Sequence, residues 1–91
     1  MREQIEKLMA DQDYRKVIFI VLENPYIEKK ALAEQSNINM EKLESILKKL
    51  LEEMVLLELA SQADSSVESR VPKKIYLVNP EMETEIRSLF S

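Results

Sequence analysis

Apolar residues fall at Met40, Leu43, Ile46, Leu47, Leu50, Leu51 and Met54, which is the i, i+3, i+4, i+7 spacing of one helix face. Asn39 stands where its side-chain oxygen can accept an orphan N–H of the first turn. Glu41 then lies beside the positive end of the helix dipole. Just upstream, Leu32 and Ala33 mark the inner face of a shorter helix, and Ser36-Asn37-Ile38 leaves room for only a tight turn. Asn tolerates the left-handed conformation that commonly follows a helix C-terminus, so Asn37 is expected to do there what Gly does in other chains. The stretch from Lys29 to Glu53 thus reads as two helices held close by a short turn, with the rest of the chain packed on it or extending it.

Toward the N-terminus, Ile5, Leu8 and Met9 mark a short amphipathic helix that Asp11-Gln12-Asp13 breaks. Val17, Ile18, Val21 and Leu22 then repeat at helical spacing, although VIFIVL has strand propensity. A cap at Asp13 and a stop at Asn24-Pro25 favour a helix. Phe19 and Ile20 fall off its main stripe, so it needs cover on more than one side, either from the N-terminal helix folded back or from a second protomer. Tyr26 and Ile27 are expected to form a short extended link.

After Glu53 the period changes to two. Val55, Leu57 and Leu59 alternate with Leu56, Glu58 and Ala60, and Ile75 and Leu77 with Lys74, Tyr76 and Val78, which predicts a hairpin. The Ser-rich, polar run from Ser61 to Pro72 suits a long mobile loop between the strands. Asn79-Pro80 then opens a last helix, because Asn caps and Pro is preferred at the first helical position. Its stripe is Met82, Ile86, Leu89 and Phe90. The expected core joins Val17, Ile18, Val21, Leu32, Leu43, Ile46, Leu47, Leu50, Leu57, Ile75 and Leu77.

Ninety-one residues make one domain, which buries only roughly 60 to 65% of its unfolded surface, so dimerisation would add to a thin margin of stability. With 45% hydrophobic and 33% charged residues the chain reads as globular. No apolar run approaches the roughly 20 residues of a membrane span, and Met1-Arg2-Glu3 leads into no signal-peptide core; the expected compartment is the cytoplasm. Cys, His, Gly and Trp are all absent. Their absence removes disulfides, thiolate and histidine chemistry, His- or Cys-ligated metals and glycine-dependent phosphate loops. The expectation is a protein that is not an enzyme, with no catalytic residues, no metal and no cofactor.

Ala33, a turn residue four positions later at Asn37, apolar Ile38 right after it, and apolar Leu43 and Ile46 resemble the helix-turn-helix pattern. The match departs at Ser36, where that pattern usually has an apolar residue. With LKKLLEEMVLLELA running into KKIYLVNP, nearly the whole chain resembles the winged helix-turn-helix superfamily. The order of elements is most similar to the small bacterial and archaeal repressors of the ArsR and MarR types. That resemblance implies a mainly α fold with a small antiparallel β-wing: a helix-turn-helix over about 28–53, a wing over about 55–79 and a closing helix over about 80–90 of a single domain 1–91. It also implies double-stranded DNA as partner and a homodimer through the terminal helices. Met54 stands where those repressors usually place Gly, so the entry to the wing is expected to differ. The metal-sensing branch is excluded in its usual form because its Cys and His ligands are missing. The abrupt stop at Ser91 leaves a longer natural chain open.

Charge complicates that expectation. The chain has a formal charge of −4, and the second helix of the motif mixes Glu41, Glu44, Glu52 and Glu53 with Lys42, Lys48 and Lys49, whereas a helix that reads DNA is expected to be basic where it meets phosphate. Local clusters point the other way: Lys29 and Lys30 open the first helix of the motif, and Arg70, Lys73 and Lys74 stand on the wing. Asn39 and Ser45 are placed to reach bases. Each lysine taken singly is equally accounted for as a solvated surface residue. The candidate DNA-binding set is therefore Lys29, Lys30, Asn39, Lys42, Ser45, Lys48, Lys49, Arg70, Lys73 and Lys74, and the candidate dimer set is Ile5, Leu8, Phe19, Ile20, Ile86, Leu89 and Phe90. Two functions follow: a dimeric DNA-binding transcriptional regulator, or a winged-helix module that binds protein through its acidic helix.

Overall fold

Residues 2–61 and 73–90 are described by the structure, a computed structural model. Five helices and three strands follow in the order α1 (Arg2–Met9), α2 (Gln12–Glu23), β1 (Ile27–Glu28), α3 (Lys29–Ser36), α4 (Met40–Glu52), β2 (Leu56–Ser61), β3 (Lys73–Val78) and α5 (Pro80–Phe90). α2 packs on α3 and α1, and α1 also meets α5. Among the described residues no helix is long and apolar enough to cross a membrane.

The ends of the helices follow from their capping residues. Asn39 Oδ1 accepts the Lys42 N–H at 2.8 Å and starts α4. Asn37 closes α3 in the left-handed region at φ 58°. Ser36, the departure from the helix-turn-helix pattern, is wholly buried, and its Oγ donates to the Ala33 carbonyl and accepts the Ile38 N–H, both at 3.3 Å. A buried hydroxyl is tolerated there because both of its bonds are made inside the turn. Asn79 Oδ1 accepts the Glu81 N–H at 3.0 Å at the head of α5. The cap of α2 is Asp11 rather than Asp13: Asp11 Oδ1 accepts the Asp13 N–H at 2.8 Å, while Asp13 pairs with Lys42.

The entry to the wing departs from expectation in an instructive way. Met54 takes the left-handed conformation itself, at φ 63°. The Met54 N–H donates to the Leu51 carbonyl at 3.1 Å and the Val55 N–H to the Leu50 carbonyl at 2.9 Å. That is the Schellman pair of bonds, with buried Val55 and Leu50 supplying its apolar contact. The turn usually made by Gly is therefore kept and made by Met, held by Asn79 Nδ2 donating to the Met54 carbonyl at 2.8 Å. Met54→Gly is accordingly expected to raise the unfolding free energy by about 0.5 to 1 kcal/mol, the relieved left-handed penalty less the greater freedom of Gly in the unfolded chain. Urea denaturation with an unchanged slope checks it.

The wing is part of a three-stranded antiparallel sheet in the order β1-β3-β2, not a two-stranded hairpin. The segment expected to be a plain link supplies β1, with Ile27 opposite Tyr76. The inward face is also the other one. Val55, Leu56, Tyr76 and Val78 are buried with Val17, Ile18, Val21, Leu32, Leu43, Ile46, Leu47 and Leu50, whereas Leu57, Ile75 and Leu77 are half-buried on the outer face, and Leu59 beside them is exposed. Both faces of this hairpin are apolar, so alternation by itself leaves the phase undetermined, and a shift of one residue exchanges the faces. Tyr76 decides it: its ring enters the core and its hydroxyl emerges beside Glu58, directly across the ladder.

Candidate nucleic-acid interface

α4 buries Leu43, Ile46, Leu47 and Leu50. Helical geometry at 3.6 residues per turn then makes Glu41, Ser45, Lys48 and Glu52 its outermost row, all exposed. Lys42 and Lys49 flank that row on the side of α2, and Glu44 on the side of the wing. The α2 flank is neutralised. Lys42 is ion-paired with Asp13, and Lys49 Nζ lies 3.1 Å from Glu53 Oε1. The Lys42 ammonium hydrogen-bonded to Asp13 holds that carboxyl below the usual carboxylate range, and the same bond raises Lys42; Glu53 raises Lys49 likewise.

The other flank opens into a groove of about 360 Å³ between α4, the start of α3 and the sheet. Lys29, Lys48 and Lys74 line it, together with Glu44, Glu58 and Tyr76. Lys30 joins Lys29 and Lys74 in an adjoining depression of about 250 Å³. The structure thus brings Lys29, Lys30, Lys48 and Lys74 to one side of α4, and places Lys42 and Lys49 on the other. Ser45 stands in the outermost row. Asn39 uses its side-chain oxygen as the α4 cap, leaving its amide N–H groups. Lys73 opposes Ser61 in the ladder, and Arg70 lies outside the described residues.

Glu58 and Tyr76 are the groove residues that sequence reasoning missed. Tyr76 Oη donates to Glu58 Oε2 at 2.9 Å. The pKa of Tyr76 is pushed upward, first by burial and then by that hydrogen bond, since ionisation would set a phenolate against a carboxylate. The unfolded phenol ionises at its ordinary value of 10.0 and the folded one only at higher pH. The contribution to stability is therefore complete below pH 10.0 and is lost as pH rises through the folded value. Melting temperature is expected to fall above about pH 10, and to fall less steeply in Tyr76→Phe, when melts are compared across an alkaline series.

Elsewhere on the surface, α1, α2 and α5 carry partly apolar side chains. Phe19, 45% exposed, meets Phe90 edge-on with ring centroids 5.3 Å apart, and the Arg15 guanidinium lies 5.7 Å from the Phe90 ring centroid. A depression of about 340 Å³ opens beside them. Leu8, Ile20 and Leu89 are half-buried against the core. Ile5 and Ile86 differ from the rest of the candidate dimer set: at 1% and 0% exposure they already fill the protomer's own core.

No protein-family model and no curated protein matches the chain. Among solved structures it is similar to the PcaV transcriptional regulator from Streptomyces coelicolor, solved in complex with its natural ligand, with a TM-score of 0.69 and 12% identity over 88% of this chain and 52% of that one. It is likewise similar to the transcriptional regulator SlyA, with a TM-score of 0.72 and 16% identity over 97% of this chain and 57% of that one. The chain therefore spans little more than half the length of these structures. Both are MarR-type winged-helix proteins, and at such identities the likeness shows that this chain has the winged-helix fold.

Proposed function

We propose that the chain is a DNA-binding winged-helix transcriptional regulator of the cytoplasm, acting as a homodimer, with α4 in the major groove and the wing against the neighbouring backbone. One observation carries this reading: in a chain of net charge −4, Lys29, Lys30, Lys48 and Lys74 gather from three elements on the side of α4 that meets the wing. Phosphate contacts supply sequence-independent affinity and bases in the groove supply specificity; here Lys30, Lys48 and Lys74 suit the first, and Ser45 the second. Both similar structures are of transcriptional regulators. Selecting bound sequences from a randomised duplex pool tests the reading. Enrichment of a palindrome supports it, and a pool left unenriched contradicts it.

The dimer face is assigned to Leu8, Phe19, Ile20, Leu89 and Phe90, which keep apolar surface that the protomer does not cover. Two recognition helices related by a two-fold axis would then read half-sites about 34 to 36 Å apart. Sedimentation at micromolar concentration is expected to give a dimer, and Phe19→Glu a folded monomer. A wild-type monomer would remove both the dimer and the palindrome.

One observation favours a second reading, a winged-helix module that binds protein. The outermost row of α4 holds two glutamates and a single lysine, a poor match to a polyanion. The same selection experiment separates the two readings, because a protein-binding module leaves the pool unchanged.

A further inference from the structure

The groove between α4 and the wing already holds anions of its own. Lys29 Nζ lies 3.6 Å from Glu44 Oε1, and Lys74 Nζ lies 3.9 Å from Glu58 Oε1. In each pair one partner is partly enclosed. The Lys29 side chain is only 26% exposed, and the second oxygen of Glu58 is held by the hydroxyl of Tyr76, whose ring is locked in the core. Of the three groove lysines, Lys48 alone makes no ion pair among the described residues.

Carboxylate and phosphate oxygens compete for the same ammonium donors. A DNA phosphate reaches Lys29 or Lys74 only by displacing a carboxylate or by lying beside one, where like charges repel. We propose that Glu44 and Glu58 compete with DNA phosphate for Lys29 and Lys74 and thereby lower the sequence-independent part of affinity. Nonspecific duplex, which offers phosphates alone, is held weakly; a site that also satisfies the outer row of α4 offsets the exchange. With that part lowered, retention on DNA depends more on the base contacts made by the outer row of α4. This inference rests on the DNA-binding reading and deepens it.

The test compares wild type, E44Q, the double variant E44Q/E58Q and E83Q for binding to a random duplex over a salt series. Gln keeps the size of Glu and an acceptor for Tyr76 but removes the charge. Glu83, paired with Arg87 on α5 outside the groove, controls for net charge. The double variant is expected to bind about tenfold more tightly than wild type near 50 mM salt and to steepen the salt slope by about two units per protomer. E44Q, at an exposed position, is expected to show about half of that steepening and serves alone if the double variant melts early. E83Q should change affinity less than about twofold. If wild type binds and the groove variants bind no more tightly than E83Q, the competition is overturned while the DNA-binding reading stands. Absence of binding by wild type and double variant alike overturns both.

Discussion

Leu47→Ala is expected to lower the unfolding free energy by about 2 to 5 kcal/mol, a large share of the roughly 5 to 15 kcal/mol that holds a small domain folded. Leu47 is 2% exposed and sits on α4 among Leu43, Ile46 and Leu50, so its loss leaves a cavity that the two close helices cannot collapse to fill. The companion substitution Leu59→Ala is expected to cost less than about 1 kcal/mol, because Leu59 is 42% exposed on the outer face of the sheet. Urea denaturation of the two variants measures both. Equal costs would mean that the sheet presents its other face to the core.

The second large effect concerns salt. Lys30 and Lys48 are the lysines of the basic side that make no ion pair among the described residues, and they stand on α3 and α4 either side of the groove. Replacing both with Ala removes four cations from a dimer and is expected to flatten the slope of log K against log salt by about 3 to 4 units, at about 0.9 per phosphate released. Weakening should be similar on every sequence tested. Lys42→Ala and Lys49→Ala, whose ammonium groups are held by Asp13 and Glu53, are expected to move the slope by less. Fluorescence anisotropy over a salt series reads both pairs of variants.

The helical framework was legible in the sequence because its signals are local. Asn39, Asn37 and Asn79-Pro80 each mark a helix end through a bond within four residues, and the stripe from Leu43 to Leu50 follows from helical spacing alone. The sheet was legible only in outline. A hairpin with Leu or Ile on both faces carries no periodic clue to its inner side, and the deciding pair, Tyr76 and Glu58, is 18 residues apart in the chain. The two-residue β1 is too short to show a period, and it forms because the Tyr26 N–H reaches the Tyr76 carbonyl at 2.9 Å.

The site divides in the same way. That the motif carried lysines was plain, but which of them point together was not. Lys29 meets Glu44 across the turn between α3 and α4, and Lys42 meets Asp13 of α2, and no spacing along the chain encodes those pairs. Met54 shows the opposite failure. Its residue type argued for a changed wing entry, yet the buried contact of Val55 with Leu50 and the Asn79 bond hold the backbone in the conformation that Gly would take.

DNA binding is tested most directly by titrating a random duplex with the wild-type protein, first near 50 mM salt and then over a salt series. The expected result is detectable binding whose log K falls linearly with log salt, with a slope between about −4, if Lys30 and Lys48 alone meet phosphate in each protomer, and about −7, if four cations do. No detectable binding near 50 mM salt, by dimer as well as monomer, would contradict a DNA-binding regulator and leave the protein-binding module in its place.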